Sequence, residues 1–304
     1  MTTPIRLALI GIGKIARDQH LPAIAADVGF DLVAAVSRNA RVEGVAHYPD
    51  IAALRASGLA IDAVSIATPP VRRHEIASAA LAAGWHVMLE KPPGATLAEV
   101  RGLRPGGLTL FASWHSRAAA GVATAKVWLA DRSVTRVSIV WREDIRVWHP
   151  GQGWILAAGG MGVFDPGINA LSIVTEILPL PLRVTAAHLV VPAGRGAPIA
   201  ATLAMAHGTA PVTADLDFRQ TGPQSWDISV ETSDGVLLLR DGGKSVLIDD
   251  VPQPLVDSGE YPALYRRFVG LIAARRSDCD LAPLELVADA FMLATRESAP
   301  AFDF

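Results

Sequence analysis

The stretch Ile5–Ala16, with the sequence IRLALIGIGKIA, decides the fold of the first part of the chain. An apolar strand, Ile5–Ile10, runs directly into Gly11, Gly13 and Ala16, and helical periodicity follows. Gly11 permits a tight turn, Gly13 leaves the backbone open to a pyrophosphate, and Ala16 lets the helix pack closely on the strand. The pyrophosphate then lies at the positive end of the helix. This G-x-G-x-x-A turn predicts a dinucleotide-binding site.

The composition favours a protein of two domains without nucleic-acid or membrane partners. The chain has 304 residues, of which 51% are hydrophobic, and a formal net charge of −3. This balance offers no basic surface to nucleic acid or an anionic membrane, and no apolar run is long enough to span a bilayer. The single cysteine, Cys279, excludes an intrachain disulfide and suits a reducing compartment. Because the stretch before Ile5 leaves no room for a signal peptide, we expect a cytoplasmic protein.

Two patterns divide the chain. Residues 1–115 alternate apolar strands with helical segments, which predicts a parallel sheet covered on both faces, a Rossmann dinucleotide-binding domain of the α/β class. Residues 116–304 contain a series of alternating strands, which predicts an α+β domain with an open, mainly antiparallel sheet for substrate binding and oligomerisation. We expect one helix near 160–178 and two more near 261–274 and 283–297. Open sheets are often covered by a second copy, which favours a homo-oligomer.

The end of the second predicted strand indicates the cofactor preference. The sequence there, Ala35-Val36-Ser37-Arg38-Asn39, carries no carboxylate of the kind that bonds the ribose 2′-hydroxyl of NAD. Ser37 can donate a hydrogen bond to a 2′-phosphate, and Arg38 can pair with that phosphate and stack on the adenine. These residues predict NADP as the preferred cofactor, with NAD as the alternative.

A second motif, Glu90-Lys91-Pro92, follows the apolar strand His86–Leu89 at its carboxyl end. Ligands bind outside the carboxyl ends of the strands in sheets of this type. We therefore predict that Lys91 points towards the nicotinamide.

Together these residues resemble the Gfo/Idh/MocA family of NAD(P)-dependent sugar and polyol oxidoreductases. The matching positions are Gly11, Gly13 and Ala16, the segment Ala67-Thr68-Pro69-Pro70 with His74, and Glu90-Lys91-Pro92. The resemblance covers the whole chain and implies a set of cofactor-binding residues. These are Gly11, Gly13, Lys14, Ile15, Ala16, Ser37, Arg38, Thr68, Pro69, His74, Glu90 and Lys91. For His74, a helix cap or a surface position is the alternative.

Two later stretches narrow the resemblance to the bacterial aldose 1-dehydrogenases that act on L-arabinose and D-galactose. They are Trp141–Pro150, WREDIRVWHP, and Gly160–Asn169, GMGVFDPGIN. The resemblance implies an aldose as substrate and oxidation of its anomeric carbon to an aldonolactone. It also implies that Lys91, Asp165 and Asn169 surround that carbon.

Asp165 and Asn169 lie four residues apart, so they share one face at the start of a predicted helix. Pro166 suits the first helical position, which makes Asp165 the expected N-cap, and that position is compatible with a catalytic role. Many members of the family carry histidine where this chain has Asn169. Because asparagine is no general base at neutral pH, the proton-accepting role falls to Lys91 or Asp165, and the sequence leaves both open.

Glu143, His149 and His115 are the expected partners of the sugar hydroxyls, because carboxylate and imidazole groups bond well to adjacent hydroxyls. Trp148 is expected to offer an apolar face to the sugar. Other tryptophans that suit this role are Trp114, Trp154 and Trp226. No histidine or carboxylate spacing suggests a metal site. Two alternatives stay open: a non-catalytic NADP-binding regulator of a sugar pathway, and an oxidoreductase of the same fold for another polyol.

Overall fold

The computed structural model describes residues 3–304, which form two compact units. The first unit is the chain up to His115 together with Ser258–Leu281, and the second is Ser116–Asp257 together with Ala282–Phe304. The strands are β1 (Ile5–Ile10), β2 (Phe30–Val36), β3 (Ala46–Tyr48), β4 (Ala63–Ile66), β5 (His86–Glu90), β6 (Leu110–Ser113), β7 (Val134–Arg142), β8 (Leu182–Pro192), β9 (Ala200–His207), β10 (Ala210–Asp217), β11 (Ser225–Thr232), β12 (Gly235–Arg240), β13 (Ser245–Ile248), β14 (Val251–Pro252) and β15 (Ala294–Ala299).

The α-helices are α1 (Leu21–Ala26), α2 (Ile51–Ala56), α3 (Arg73–Ala82), α4 (Leu97–Gly102), α5 (Val122–Leu129), α6 (Ile145–Trp148), α7 (Phe164–Ile177), α8 (Glu260–Ala273) and α9 (Ala282–Leu293). A π-helical segment, Ala16–His20, leads directly into α1. Short 3-10 turns lie at His115–Ala118, Gly153–Leu156 and Asp241–Gly243.

The first unit is built on a parallel sheet. Within residues 3–304, this sheet has six strands in the order β3-β2-β1-β4-β5-β6. That order is the one of Rossmann domains, in which the strand order reverses beside β1. Strands β4 and β5 are almost wholly buried, because helices cover both faces of the sheet. The prediction of a Rossmann fold is confirmed.

Helix α8 belongs to the first unit, although we expected every residue beyond 115 in the second domain. Its buried residues have the spacing i, i+3, i+4 and i+7 of one helix face and join the apolar cluster on one face of the Rossmann sheet. These residues are Tyr261, Leu264, Tyr265 and Phe268. The boundary predicted at 115 therefore differs from the structure for Ser258–Leu281, because the apolar stripe of α8 completes the first core.

The second unit holds a mixed sheet. In the part of the chain that the structure describes, it has nine strands in the order β14-β13-β12-β11-β7-β10-β9-β8-β15. Neighbouring strands are antiparallel except for the β7–β10 and β8–β15 pairs, which are parallel. The predicted open, mainly antiparallel sheet is confirmed. No helix among the described residues combines the length and apolar character that a membrane crossing requires.

Two helix boundaries in this unit differ from the predictions. The helix expected from residue 160 begins at Phe164, because Gly159 and Gly162 adopt positive φ angles of 83° and 57°. The last helix ends at Leu293, whereas we expected it to continue to 297. The chain continues as β15 because its backbone pairs in parallel with β8.

Candidate active site

A cleft of about 630 Å³ lies at the carboxyl ends of β1, β2 and β4. The predicted cofactor residues that line it are Gly11, Gly13, Ser37, Arg38, Thr68 and Pro69. Gly11 adopts a φ of +93°, and a Cβ there would lie 2.8 Å from the backbone nitrogen of Thr68. At Gly13, no described atom beyond its chain neighbours lies within 4 Å of the position of a Cβ. The backbone beside Gly13 is therefore open to the cleft, as the approach of a pyrophosphate requires.

The adenosine end of the cleft carries both basic and acidic groups. Ser37 and Arg38 line it, and so do the carboxylates of Asp50 and Glu75. Sequence reasoning missed these two carboxylates because neither belongs to the segment that ends β2. Asp50 caps α2 by accepting a hydrogen bond of 2.8 Å from a backbone N–H, and Glu75 pairs with Arg72 at 3.1 Å. The pairing of Ser37 and Arg38 with a 2′-phosphate stays a prediction. The glycine turn, the open backbone and these groups together fit a dinucleotide.

The remaining predicted cofactor residues lie outside the wall of this cleft. They are Lys14, Ile15, Ala16, His74, Glu90 and Lys91. Lys14 is exposed and forms an ion pair with Asp18, whereas Ala16 is buried in the packing of helix on strand. His74 Nδ1 lies 2.7 Å from the carbonyl oxygen of Glu99, so its ring links α3 to α4. This contact gives His74 a structural role, and its part in cofactor binding stays a prediction.

Lys91 directly follows β5, and buried polar groups hold the backbone on both sides of it. The backbone N–H of Lys91 donates to Oε2 of Glu90 at 2.7 Å. Arg73, which is 2% exposed, donates to the carbonyl oxygens of Glu90 and Pro92 and to that of Thr68. Sequence reasoning missed Arg73, because an arginine at the start of a helix ordinarily lies at the surface. Here its guanidinium ties together the loops that follow β4 and β5.

Glu90 is 4% exposed, and its carboxylate is enclosed by side chains of the first unit. The Tyr261 hydroxyl donates to Oε1 at 2.6 Å, and His20 Nε2 lies 3.3 Å from the same oxygen. Burial acts to raise the pKa of Glu90, but His20, His115 and Tyr261 together lower this pKa to about 2. Burial and the charge of Glu90 raise the pKa of Tyr261 well above its ordinary value, so its hydroxyl stays a donor. Both carboxylate oxygens have partners within the first unit, and the role of Glu90 in cofactor binding stays a prediction.

His115 and Trp114 follow β6. His115 Nδ1 lies 2.6 Å from Oε2 of Glu260, and its ring stacks on Tyr261 with centroids 5.5 Å apart. Trp114 is buried and donates from its indole nitrogen to the carbonyl of Asp280 at 2.9 Å. Trp114 is therefore a core residue and not a sugar-binding face, while the sugar-binding role of His115 stays a prediction.

Three titratable side chains predicted for the site meet in the second unit. Glu143 directly follows β7, His149 follows α6, and Asp165 lies in the first turn of α7. His149 Nε2 lies 3.6 Å from Oε1 of Glu143 and 3.8 Å from Oδ2 of Asp165. The indole N–H of Trp226 donates to Oε2 of Glu143 at 2.9 Å. The structure thus forms a carboxylate–imidazole–carboxylate cluster from the ends of β7 and α6 and the start of α7.

The turn of α6 sets the position of the aromatic residues near this cluster. Asp144 caps α6 by accepting from the backbone N–H of Arg146 at 2.9 Å, and the Arg146 guanidinium lowers the pKa of Asp144. Trp148 at the end of this turn is 46% exposed and meets Trp226 edge to face, with ring centroids 5.4 Å apart. An exposed indole beside buried carboxylates suits the apolar face and the hydroxyls of a sugar.

Helix α7 carries Asp165 and Asn169 on one face. The helix begins at Phe164, with Val163 at the N-cap position. Asp165 is therefore a residue of the first turn and not the expected N-cap. Its charge is still favourable there, because the helix dipole stabilises an anion at this end. Asn169 follows one turn later and is half-buried.

The first unit has a Rossmann sheet with a glycine-lined cleft and a lysine after β5, and the second unit carries an acid–imidazole cluster. These features are those of a dinucleotide-dependent oxidoreductase. Residues 5–104 match the Gfo/Idh/MocA model, described as an oxidoreductase family with an NAD-binding Rossmann fold. The chain is 44% identical to galactose 1-dehydrogenase from Pseudomonas fluorescens over 301 residues, which are 98% of this chain and 99% of that enzyme. The chain belongs to the Gfo/Idh/MocA family, which confirms the resemblance seen in its motifs.

Solved structures agree with this assignment. The crystal structure of D-galactose-1-dehydrogenase from Rhizobium etli has 52% sequence identity to this chain and a TM-score of 0.95, covering 100% of this chain and 99% of that one. A 3-ketoreductase from Actinomadura kijaniata, in complex with NADP and TDP-benzene, has 18% identity and a TM-score of 0.81, covering 98% and 100%. At that identity, the second likeness shows the fold alone.

Proposed function

We propose that this protein is an NAD(P)-dependent aldose 1-dehydrogenase that oxidises the anomeric carbon of D-galactose and/or L-arabinose to the aldonolactone. The observation that carries the proposal is the cluster of Glu143, His149 and Asp165 in a chain similar over its full length to galactose 1-dehydrogenases. Carboxylates and imidazoles so placed can accept and donate hydrogen bonds to neighbouring hydroxyls of one sugar ring.

The residues of the second unit would hold and orient the sugar. Glu143, kept in place by the Trp226 indole, accepts hydrogen bonds from sugar hydroxyls, and His149 bonds to an adjacent hydroxyl. Trp148 covers the C–H face of the ring. When bound, NADP⁺ supplies the acceptor for the hydride that leaves the anomeric carbon. Holding the sugar in one orientation lowers the entropic cost of that transfer.

The proton of the anomeric hydroxyl goes to a group of the protein. This hydroxyl is more acidic than that of an ordinary secondary alcohol, because the ring oxygen withdraws electrons. A modest base therefore suffices, and Lys91 as a neutral amine or Asp165 as a carboxylate can act as that base. Asn169 is no base, so its amide would hold a sugar oxygen.

The two proposed sugars differ by one group. L-arabinopyranose and D-galactopyranose share their ring configuration, and galactose carries an additional exocyclic hydroxymethyl group. A single small group changes the relative transition-state binding of two substrates by about 1–3 kcal/mol, unless it leaves a buried polar partner unpaired. We therefore expect turnover of both sugars by one site.

Three further expectations accompany the proposed activity. We propose NADP as the preferred cofactor because Ser37 and Arg38 line the cleft while its two carboxylates have partners. We propose a cytoplasmic location and a homo-oligomer formed through the open sheet of the second unit. Sedimentation of the purified protein tests the oligomer, and a single monomeric species would contradict it.

The assay of the proposed function follows reduced nicotinamide by its absorbance. The purified protein is mixed with NADP⁺ and, separately, D-galactose, L-arabinose, D-glucose, D-xylose or myo-inositol, and each reaction is repeated with NAD⁺. Fast reduction with galactose or arabinose supports the proposal. Reduction only with another substrate would overturn the sugar assignment, and tight NADP⁺ binding without any reduction would indicate the regulator.

Lys91→Met tests the reacting lysine within that assay. The variant should lose turnover while it still binds NADP⁺. Lys126→Met is the matched control, because Lys126 is an exposed lysine of α5 paired with Glu176. Wild-type turnover in Lys91→Met, or an equal loss in Lys126→Met, would remove Lys91 from the reaction.

A further inference from the structure

A chain of buried polar side chains runs through the first unit behind the Glu90-Lys91-Pro92 turn. The Tyr265 hydroxyl donates to the Ser65 hydroxyl at 3.1 Å and lies 2.8 Å from His20 Nδ1. On the other side of the imidazole ring, Nε2 lies 3.3 Å from Oε1 of Glu90. The ring of His20 also meets the Tyr261 ring edge to face, with centroids 4.9 Å apart. Strands β4 and β5 and helix α8 all contribute to this chain of contacts.

Such a network is costly in the interior of a domain. A buried carboxylate loses its hydration, and only hydrogen bonds or opposite charge can compensate for that loss. Glu90 accepts a hydrogen bond at each of its carboxylate oxygens, and its lowered pKa keeps it ionised at neutral pH. An apolar residue would fill the same space without this cost, so the carboxylate indicates a role beyond packing.

We propose that Glu90 is a positioning residue for Lys91, and that Tyr261 holds the Glu90 carboxylate in the position that fixes the Lys91 backbone. The proposal rests on the proposed function, in which Lys91 faces the reacting sugar. Oε2 of Glu90 accepts from the Lys91 N–H, while Oε1 accepts from the Tyr261 hydroxyl. The peptide group before Lys91 cannot rotate without breaking a charge-assisted hydrogen bond.

Arg73 also holds this segment of the main chain. Its guanidinium donates to the carbonyl oxygens of Glu90 and Pro92, the residues on either side of Lys91. The main chain at Lys91 is therefore held through its own N–H and through both neighbouring carbonyl groups. A displacement of about 1 Å at a reacting group can cost about a hundredfold in rate, so backbone control of this kind has a direct consequence for turnover.

Direct contact of Glu90 with a ligand does not explain these observations. Glu90 is 4% exposed, and both of its carboxylate oxygens have partners within the first unit. Its influence on the reaction therefore passes through Lys91. The effect should appear in kcat, while the dissociation constant of NADP⁺ should change little.

Two tyrosines of α8 provide a matched test. Tyr261→Phe removes the hydroxyl that holds Glu90, whereas Tyr265→Phe removes a buried hydroxyl that serves Ser65 and His20. Each variant loses one hydroxyl from the same helix and the same core. We expect Tyr261→Phe to lower kcat about tenfold with NADP⁺ binding within about twofold of wild type. Tyr265→Phe should lower the unfolding temperature by about as much as Tyr261→Phe does, but it should keep kcat within about twofold of wild type.

Substitution of Glu90 gives a graded test of the same idea. Glu90→Gln retains an acceptor for the Lys91 N–H, and Glu90→Ala does not. The expected order of kcat is wild type, then Glu90→Gln, then Glu90→Ala. Equal losses of kcat in the two tyrosine variants would overturn the proposal, as would a loss expressed entirely in the binding of NADP⁺.

Hydrogen exchange separates this inference from the proposed function. In Tyr261→Phe, the peptide that contains Lys91 should exchange its amide hydrogens faster than in wild type, and in Tyr265→Phe it should not. This readout needs no substrate, so it holds even if no sugar is oxidised. Unchanged exchange in Tyr261→Phe would refute the positioning role, whereas missing activity in the wild type would refute only the proposed function.

Discussion

Substitution by alanine at the two glycines of the first turn should affect different properties: stability at Gly11 and nucleotide binding at Gly13. Gly11→Ala places a Cβ 2.8 Å from the backbone nitrogen of Thr68 and 2.9 Å from the carbonyl carbon of Ala67, at a φ of +93°. The left-handed backbone costs an L-residue about 1–2 kcal/mol, and the overlap with a fixed backbone adds about 1–3 kcal/mol. We therefore expect the free energy of unfolding of Gly11→Ala to fall by about 2–5 kcal/mol.

Gly13→Ala meets neither obstacle. No described atom beyond its neighbours lies within 4 Å of the new Cβ, and the φ of Gly13 is outside the left-handed region. Its unfolding free energy should stay within about 1 kcal/mol of wild type, because the main effect is on the entropy of the unfolded chain. The methyl group instead occupies the space through which a pyrophosphate approaches the backbone. We expect NADP⁺ to bind at least about tenfold more weakly, which corresponds to about 1.4 kcal/mol.

The assay combines urea unfolding with a titration of NADP⁺ by calorimetry. Unfolding is measured without nucleotide, because a bound ligand would add its own contribution to stability. A Gly13→Ala protein that binds NADP⁺ like wild type would refute the assignment of the cleft to the pyrophosphate. A Gly11→Ala protein of unchanged stability would refute the close approach to the loop after β4.

Trp226→Phe removes the donor to Glu143, and a hydrogen bond to a charged acceptor contributes about 1.5–3 kcal/mol. The KM for galactose should therefore rise about tenfold or more in steady-state kinetics, while NADP⁺ binding stays unchanged. Arg38→Ala should raise the KM for NADP⁺ about tenfold or more and leave that for NAD⁺ unchanged; equal changes would contradict NADP preference. The pKa of Glu90 is lowered from 4.5 to about 2, so its ionisation stabilises the folded state by about 3 kcal/mol. The full stabilisation is present above pH 4.5 and is lost as the pH falls towards 2. Acid unfolding followed by circular dichroism should therefore be steeper over that range in wild type than in Glu90→Gln.

The parts of the site that the sequence predicted are those encoded by a single turn. Gly11 and Gly13 act within one strand-to-helix connection, and Lys91 follows its strand directly. For such positions, residue type and local geometry are enough to predict what the backbone does. The same holds for Asp165, whose place at the start of a helix was predicted, although the N-cap is Val163, two residues before it.

Contacts between distant segments were not accessible in this way. The apolar spacing of α8 shows which face of that helix is buried, but it does not show which sheet the face packs against. That choice decides whether Tyr261 meets Glu90, because the two are brought together only when α8 joins the first unit. Arg73 illustrates the same limit, since its burial depends on three carbonyl groups supplied by two other loops. Local sequence thus identifies the residues predicted to react, whereas the residues that hold the backbone of Lys91 are brought together by tertiary packing. Substitutions such as Tyr261→Phe measure what that packing contributes to turnover.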